Sequence, residues 1–195
     1  MGMTGSLAVR RPAEPRLKYA HTVFHLDDGR RIELDDPRKW ASAVLADDAE
    51  ELVGGLGPDA VDPAFTVSDF VSRVRPKRSA IKAVLLDQHV LAGVGNIYAD
   101  EALFRAGISP ARAANRLSEA RLRALHAAVR DVLAHATDFI ASHLSEDGRP
   151  FVVDAYDERM RLPRKAGAPC PECGAPLRTM KFGGRSAYYC PKCQR

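Results

Sequence analysis

Four cysteines near the end of the chain have the spacing of a metal site. They form two Cys-x-x-Cys pairs with sixteen residues between the pairs, and they are Cys170, Cys173, Cys190 and Cys193. Each pair presents two sulfur ligands from one turn, and four thiolates suit a structural zinc ion. Two disulfides or a redox-active pair are alternatives, but the first ten residues lack the apolar core of a secretion signal. A redox motif would also need only one pair, so the spacing predicts one structural Zn²⁺.

The segment between the cysteine pairs has the pattern of a β-hairpin. Gly183 and Gly184 lie between two short strand-like runs within residues 174–189. Such a hairpin would bring both Cys-x-x-Cys turns together around one ion. Because so small a unit buries little apolar surface, we expect metal binding to stabilise its fold.

The net charge of +4 conceals two strongly basic segments. Residues 161–195 contain eight lysines and arginines against one acid, whereas residues 27–62 contain eleven acids against four bases. Clustered cations neutralise nucleic-acid phosphates and release counterions, although a merely solvated surface needs no such partner. A basic finger together with a second basic run favours nucleic acid as the partner. The members of that second run, which includes no acid, are Arg73, Arg75, Lys77, Arg78 and Lys82.

Length and composition indicate a folded globule. The 195 residues allow one large or two small domains, and 46% of them are hydrophobic. No apolar run approaches the length of a membrane span. Every cysteine lies in the terminal cluster, which fits a reducing cytoplasm. We therefore expect a cytoplasmic protein with no membrane partner.

The first part of the chain has the pattern of β-structure. Residues 21–26 and 31–34 flank an Asp-Asp-Gly-Arg turn, which predicts a hairpin. The segment from Trp40 to Leu45 predicts a further strand. Glycines and prolines then accumulate in residues 52–63, which we interpret as a linker.

From Thr66 onward the pattern becomes helical. Thr66 or Ser68 can cap a helix that continues to Val74, and Ser79 can cap a second helix over residues 80–86.

A tight glycine turn at residues 91–96 precedes a third helix, predicted over residues 97–106 and ended by Gly107. Ser118 can cap the longest helix of the chain. Its apolar residues recur at helical spacing and form a predicted core face, which comprises Leu122, Leu125, Val129, Val132, Leu133, Ala136 and Ile140.

These motifs together resemble a known family. Residues 80–87, the Gly-Val-Gly-Asn-Ile-Tyr-Ala-Asp-Glu run at 93–101 and residues 103–108 resemble the helix–two-turn–helix region of the formamidopyrimidine-DNA glycosylase / endonuclease VIII family. The terminal Cys-x2-Cys, Gly-Gly-Arg and Cys-x2-Cys-Gln series resembles its zinc finger. Residues 2–7 and 36–38 resemble two loops of its N-terminal β-sandwich.

The resemblance implies an α+β fold in three parts. Residues 1–58 would be a remnant of the N-terminal β-sandwich, residues 59–150 the helix–two-turn–helix DNA-binding domain, and residues 151–195 a linker and the four-cysteine zinc finger. Half a sandwich would leave an apolar face uncovered, through which the chain could self-associate. The family's flexible lesion-covering loop would correspond to residues near 145–157, which match it weakly.

The resemblance also implies roles for individual residues. Asn96 would hold the DNA backbone from the glycine turn, with Lys82 facing the same phosphates and Arg185 gripping phosphate from the hairpin tip. A dinucleotide-binding loop is the alternative for the glycine turn, but no third glycine follows at the needed spacing. Ordinary surface charge is the alternative for Lys82 and Arg185.

Three further residues resemble the wedge that fills the gap left by an extruded nucleotide. Met3 would be its apolar plug and Arg38 the reader of the orphaned base, while Trp40 stands where the family commonly has phenylalanine. A core aromatic is the alternative for Trp40.

The family's covalent chemistry uses an N-terminal proline amine, a neighbouring glutamate and a lysine of the first lobe. None of the three has a counterpart in a chain that opens Met1-Gly2-Met3. We therefore expect binding of damaged or abasic duplex DNA with little or no excision. An active bifunctional DNA glycosylase/AP lyase remains open if the start lies upstream or a substitute amine at Gly2 acts. A nucleic-acid or protein interaction module is the other alternative.

Overall fold

The computed structural model describes residues 5–142 and 160–195. These residues form two units, of which the first ends at Leu52 and the second begins at Val53. The α+β class predicted from the sequence is confirmed, because sheets and helices occupy separate stretches of the chain. None of the helices formed by the described residues is long and apolar enough to cross a membrane.

The first unit contains an antiparallel sheet of three strands: β1 (Ser6–Arg10), β2 (Ala20–His25) and β3 (Arg31–Asp35). The strand order is β1-β3-β2, so β3 is central. The β2–β3 hairpin was predicted, and the turn between its strands includes Gly29 with φ of 82°. Strand β1 was not predicted, because its alternating pattern is short.

One face of this sheet is apolar and open to solvent. Leu7, Val9 and Phe24 are 52%, 58% and 46% exposed, and their cross-strand partners on β3 are Leu34 and Ile32. The prediction of an uncovered apolar face therefore agrees with the exposure of these side chains. Whether a second chain covers the face stays a prediction.

The strand predicted from Trp40 to Leu45 does not form, because side-chain oxygens take up the backbone donors. Both Trp40 and Ala41 donate their backbone N–H groups to Asp36 Oδ2, at 2.6 and 2.7 Å. Lys39 has a φ of 55°, a left-handed conformation that ends an extended run. The segment is therefore a loop shaped by Asp36.

The second unit contains most of the helices and the terminal hairpin. A one-turn helix, α1, lies at the border of the two units, and a short 3-10 turn at Ala114–Arg116 precedes the last helix. The bounds are α1 (Glu50–Val53), α2 (Val67–Val74), α3 (Ile81–Leu86), α4 (Asn96–Arg105), α5 (Glu119–Ser142), β4 (Arg178–Phe182) and β5 (Arg185–Tyr189).

Two of the three predicted helix caps in this unit form. Ser118 Oγ accepts from the backbone N–H of Arg121 at 3.4 Å at the start of α5. Thr66 caps α2 in a reciprocal capping box with Asp69. Ser79 does not cap α3, whose first turn has no side-chain cap. Carbonyl groups of the segment after α4 replace the cap, since the N–H groups of Ile81 and Lys82 donate to Arg112 O and Pro110 O at 2.7 and 3.2 Å.

Helix α5 supplies much of the apolar core. Its predicted core face is buried except at one position, where Phe139 takes the place expected for the half-buried Ile140. The main cluster packs α5 against α2 and α4, and α4 in turn against α3. This core fixes α3 and α4, which carry two of the predicted site residues, Lys82 and Asn96.

Candidate nucleic-acid interface and zinc site

The four cysteine sulfurs converge on one point. All four Sγ atoms lie within 4.8 Å of one another, and all four cysteines are free thiols. Cys170 Sγ lies 3.9 Å from Cys193 Sγ, and Cys173 Sγ lies 3.5 Å from Cys190 Sγ. Tetrahedral zinc with bonds of about 2.3 Å needs sulfurs about 3.8 Å apart, whereas a disulfide needs about 2.0 Å. The donor set and its spacing therefore fit one structural zinc ion and not two disulfides.

The protein environment favours the thiolate form that zinc needs at Cys190. Burial alone would raise the pKa of this thiol. Donation from the backbone N–H groups of Cys193 and Lys192, together with the Cys173 thiol, outweighs burial and lowers the pKa of Cys190 to about 7. The Cys193 N–H lies 3.4 Å from this sulfur. The opposite holds at Cys193, where the hydrogen bond with the Cys173 thiol, together with burial, raises the pKa to about 12. The environment therefore favours the thiolate at Cys190 but not at every ligand.

The hairpin between the cysteine pairs presents Arg185 to solvent. Gly183 and Gly184, with φ of 52° and 78°, form a two-residue turn that connects Phe182 directly to Arg185. Only glycine adopts two successive left-handed conformations readily, which explains the Gly-Gly pair. Arg185 is exposed, and no carboxylate among the described residues pairs with it. Its guanidinium is available to an external anion.

Asn96 is the first residue of α4, and it touches the hairpin. Its side-chain Nδ2 donates to the carbonyl of Ser186 at 3.2 Å, and Ser186 follows Arg185 in the chain. The preceding Gly95 provides no side-chain cap, so the first turn of α4 lacks a capping side chain. Asn96 of α4 is therefore bonded to the residue next to Arg185, so two of the residues predicted to contact phosphate lie near each other although they belong to different elements.

Lys82 requires a correction. The resemblance predicted a side chain facing phosphate, but Lys82 is 0% exposed. Its Nζ forms an ion pair with Asp100 Oδ1 at 2.7 Å and donates to the carbonyl of Asn96 at 2.6 Å. The long side chain of Lys82 therefore points inward from α3, and the alternative of an ordinary surface charge is also wrong.

Burial of Lys82 predicts a stability that depends on pH. Burial lowers the pKa of Lys82 to about 8, because desolvation outweighs the attraction of Asp100. Between about pH 8 and the ordinary lysine value, the unfolded chain then binds more protons than the folded chain. The unfolding free energy should rise with pH across this window, by at most about 1.4 kcal/mol per pH unit.

Denaturant unfolding at a series of pH values tests this expectation. Lys82→Met is the matched variant, because methionine keeps much of the side-chain length without the titrating amine. The wild-type profile should rise relative to that of the variant between about pH 8 and 10. Parallel profiles would mean that Lys82 keeps its charge throughout this range.

Asp100 was not predicted as a site residue, yet it connects Lys82 to the zinc hairpin. Its Oδ2 accepts from the guanidinium of Arg164 and from the backbone N–H of Tyr188, the latter at 3.3 Å. The guanidinium of Arg164 also lies over the Tyr188 ring, 4.9 Å from its centre. The sequence contained a signal for the burial of Asp100, because this residue stands among apolar residues of a short helix and those residues must be buried.

The neighbouring Glu101 anchors the segment that leads into the finger. Its carboxylate accepts from the backbone N–H groups of Arg161 and Leu162 at 3.1 and 3.0 Å, and it pairs with Arg105. The chain end docks nearby, where Gln194 Nε2 donates to the carbonyl of Ile108 at 2.9 Å. The finger is therefore bonded to α4 and to the residues that follow it.

Two of the predicted wedge residues, Arg38 and Trp40, belong to the first unit. Trp40 is 63% exposed, so the core-aromatic alternative is wrong, and the guanidinium of Arg38 lies 4.0 Å from the centre of its ring. Met3 lies outside the described residues, as does the whole of the predicted lesion-covering loop at 145–157. The roles of Met3, Arg38 and Trp40 in a wedge stay predictions.

The fold and the site define a class of protein: a helix–two-turn–helix protein with a four-cysteine zinc finger. Residues 56–146 match the family model of the formamidopyrimidine-DNA glycosylase H2TH domain. Residues 167–195 match the model of the zinc finger found in FPG and IleRS.

Relatives extend this similarity to nearly the whole chain. It is 41% identical to the formamidopyrimidine-DNA glycosylase of Symbiobacterium thermophilum over 98% of its length, and spans 65% of that relative. It is 37% identical to that of Thiobacillus denitrificans over 100% of its length, and spans 73% of that relative. The chain belongs to the formamidopyrimidine-DNA glycosylase family, which confirms the resemblance.

Solved structures agree with this assignment. The MutM (Fpg) protein of Thermus thermophilus superposes with a TM-score of 0.79 at 38% identity, covering 99% of this chain and 73% of that one. Lactococcus lactis Fpg in a complex with abasic-site DNA superposes with a TM-score of 0.82 at 26% identity, covering 100% of this chain and 73% of that one.

Proposed function

We propose that this chain binds duplex DNA and prefers abasic or otherwise damaged sites. We further propose that, as a polypeptide of these 195 residues, it excises bases weakly or not at all. The observation that carries the binding proposal is the contact between Asn96 and Ser186, because it sets an amide beside the exposed Arg185. An arginine and a helix amino terminus are the groups that hold phosphate oxygens in proteins.

Charge and family membership support the same partner. Arg73, Arg75, Lys77 and Arg78 of the second basic run are exposed, and a phosphate backbone is the natural counterpart of such a surface. The Lactococcus lactis relative was solved with DNA containing an abasic site. A protein of this kind would act on chromosomal DNA, which agrees with the expected location in a bacterial-type cytoplasm at the nucleoid.

The proposal of weak or absent excision rests on the catalytic residues and not on the DNA-binding residues. None of residues 1–195 matches the proline, glutamate and lysine to which the resemblance attaches excision. Bifunctional glycosylase/AP lyase activity is the alternative, and in this polypeptide it would need a substitute amine such as that of Gly2. An interaction module that binds RNA or an acidic protein is the second alternative.

Binding to a duplex that contains an abasic-site analogue tests the proposed function. The intact duplex of the same sequence is the reference, and zinc content is measured on the same protein sample. We expect tighter binding to the abasic duplex. Asn96→Ala should weaken this binding, whereas the matched change at the exposed Asn115, Asn115→Ala, should leave it unaffected.

Incision is read from the same samples, with borohydride trapping on authentic abasic DNA. We expect no incision and no trapped adduct. Incision would overturn the proposal of weak excision and direct attention to Gly2. Equal and weak binding to both duplexes would overturn the preference for damage and favour the interaction module.

The exposed sheet face of the first unit supports one further proposal. We propose that the chain self-associates through Leu7, Val9 and Phe24, because a contiguous exposed apolar patch marks an interaction site. Such an association would leave DNA binding to the second unit.

A further inference from the structure

The two residues proposed to hold phosphate, Asn96 and Arg185, lie beside a buried cluster of charges. Its members are Lys82 of α3, Asp100 of α4 and Arg164 of the segment before the hairpin. Asp100 is 1% exposed and lies between the two cations. A buried carboxylate with two cationic partners is held in place, because moving it would leave two poorly solvated cations without a counter-ion.

Each member of the cluster also touches the backbone of a proposed phosphate-binding element. Lys82 Nζ donates to the carbonyl of Asn96 at 2.6 Å. The guanidinium of Arg164 donates to the carbonyl of Ser186 at 3.4 Å, and Ser186 also accepts from the side chain of Asn96. Asp100 itself accepts from the backbone N–H of Tyr188 on β5. One carboxylate therefore orients the first residue of α4 and the strand that begins at Arg185.

We infer that Asp100 is a positioning residue that aligns Asn96 with Arg185, and that Lys82 serves DNA binding through this alignment rather than by touching phosphate. The inference rests on the proposed function for its effect on DNA, but the alignment itself belongs to the free protein. Two phosphate-binding groups held at a fixed separation lose less freedom on binding than two independent ones.

A change that removes the charge but keeps the shape separates this role from general packing. Asp100→Asn leaves Lys82 and Arg164 without their shared counter-ion, so the two cations repel each other and shift. We expect duplex affinity to fall about tenfold with zinc content unchanged. Adding Lys82→Met to Asp100→Asn removes one of the two uncompensated cations and with it their mutual repulsion, so the double variant should bind no more weakly than Asp100→Asn alone.

Glu33→Gln is the matched control. Glu33 is also a fully buried carboxylate that pairs with an arginine and accepts from a backbone N–H, but its partners are Arg31 and Leu17 of the three-stranded sheet unit. This variant should lose stability as Asp100→Asn does, while its duplex affinity stays within twofold of wild type. Equal losses of affinity in both variants would reduce Asp100 to a structural role and overturn the inference. Strictly additive effects of Asp100→Asn and Lys82→Met would also overturn it.

A measurement without DNA keeps this inference distinct from the proposed function. The side-chain amide resonances of Asn96 should shift in Asp100→Asn and stay in place in Glu33→Gln. Resonances that do not move in Asp100→Asn would overturn the alignment, whatever the protein binds. A wild-type protein that binds no duplex, but shows the shift, would overturn the proposed function and leave the alignment supported.

Discussion

Replacing Cys173 with serine should release the zinc and unfold the hairpin finger while the helices remain folded. A serine hydroxyl is not ionised at neutral pH, so three thiolates and one poor ligand would remain. Zinc binding supplies most of the folding free energy of a small finger, on the order of 10 kcal/mol in isolated fingers. The apolar cluster under the finger is separate from the main helical cluster, which explains why helix content should be preserved.

The expected loss of DNA affinity is large, at least about a hundredfold, because Arg185 and the Ser186 carbonyl both depend on the hairpin. Zinc content, far-ultraviolet circular dichroism and duplex binding measure the three parts of the prediction. Chelation of zinc from the wild-type protein, followed by its return, is the reversible control. An unchanged zinc content in Cys173→Ser would refute the assignment of the ligand.

Replacing Arg185 with alanine should weaken binding to every duplex by a similar factor. Contacts with phosphate carry little information about base sequence, so abasic, damaged and intact duplexes should all be affected. We expect a loss of about tenfold, typical of one charge-assisted hydrogen-bonding side chain. The slope of log affinity against log salt should fall by about 0.9, as expected for one lost phosphate contact.

Arg178→Ala is the matched control for this prediction. Arg178 is exposed on the same hairpin and pairs with Tyr189, at the opposite end of the strands from Arg185. Both variants remove one positive charge, so they differ only in its position. An equal loss of affinity in both would mean that net charge, and not a contact of Arg185, drives binding.

Sequence patterns were sufficient where local rules determine the structure. The cysteine spacing identified the metal site, the Gly183-Gly184 pair located the hairpin turn, and Thr66 was one of the two residues predicted to cap α2. The apolar stripe of α5 identified its core face except at one turn, where Phe139 replaces Ile140. Each Cys-x-x-Cys turn, the glycine turn and the helix cap depend on residues within a few positions of one another, and the α5 stripe depends on a regular spacing along one element.

The patterns failed where distant residues determine the outcome. Lys82 belongs to a basic run, and only the three-dimensional position of Asp100 reveals that its amine is buried and paired. Trp40 and its successors have the composition of a strand, but the carboxylate of Asp36 takes the backbone donors that a strand would use. Ser79 does not form the predicted cap, because the carbonyls of Pro110 and Arg112 accept from the first backbone N–H groups of α3.

The bond between Asn96 and Ser186 joins two parts of the chain that sequence models recognise separately, residues 56–146 and 167–195. The two family models therefore divide a stretch of the chain that packs as one compact unit. A finger transplanted to another helical partner would keep its metal, but it would present its arginine without the amide that accompanies it here. The recombinable unit for protein engineering is the pair of modules together with their shared buried carboxylate.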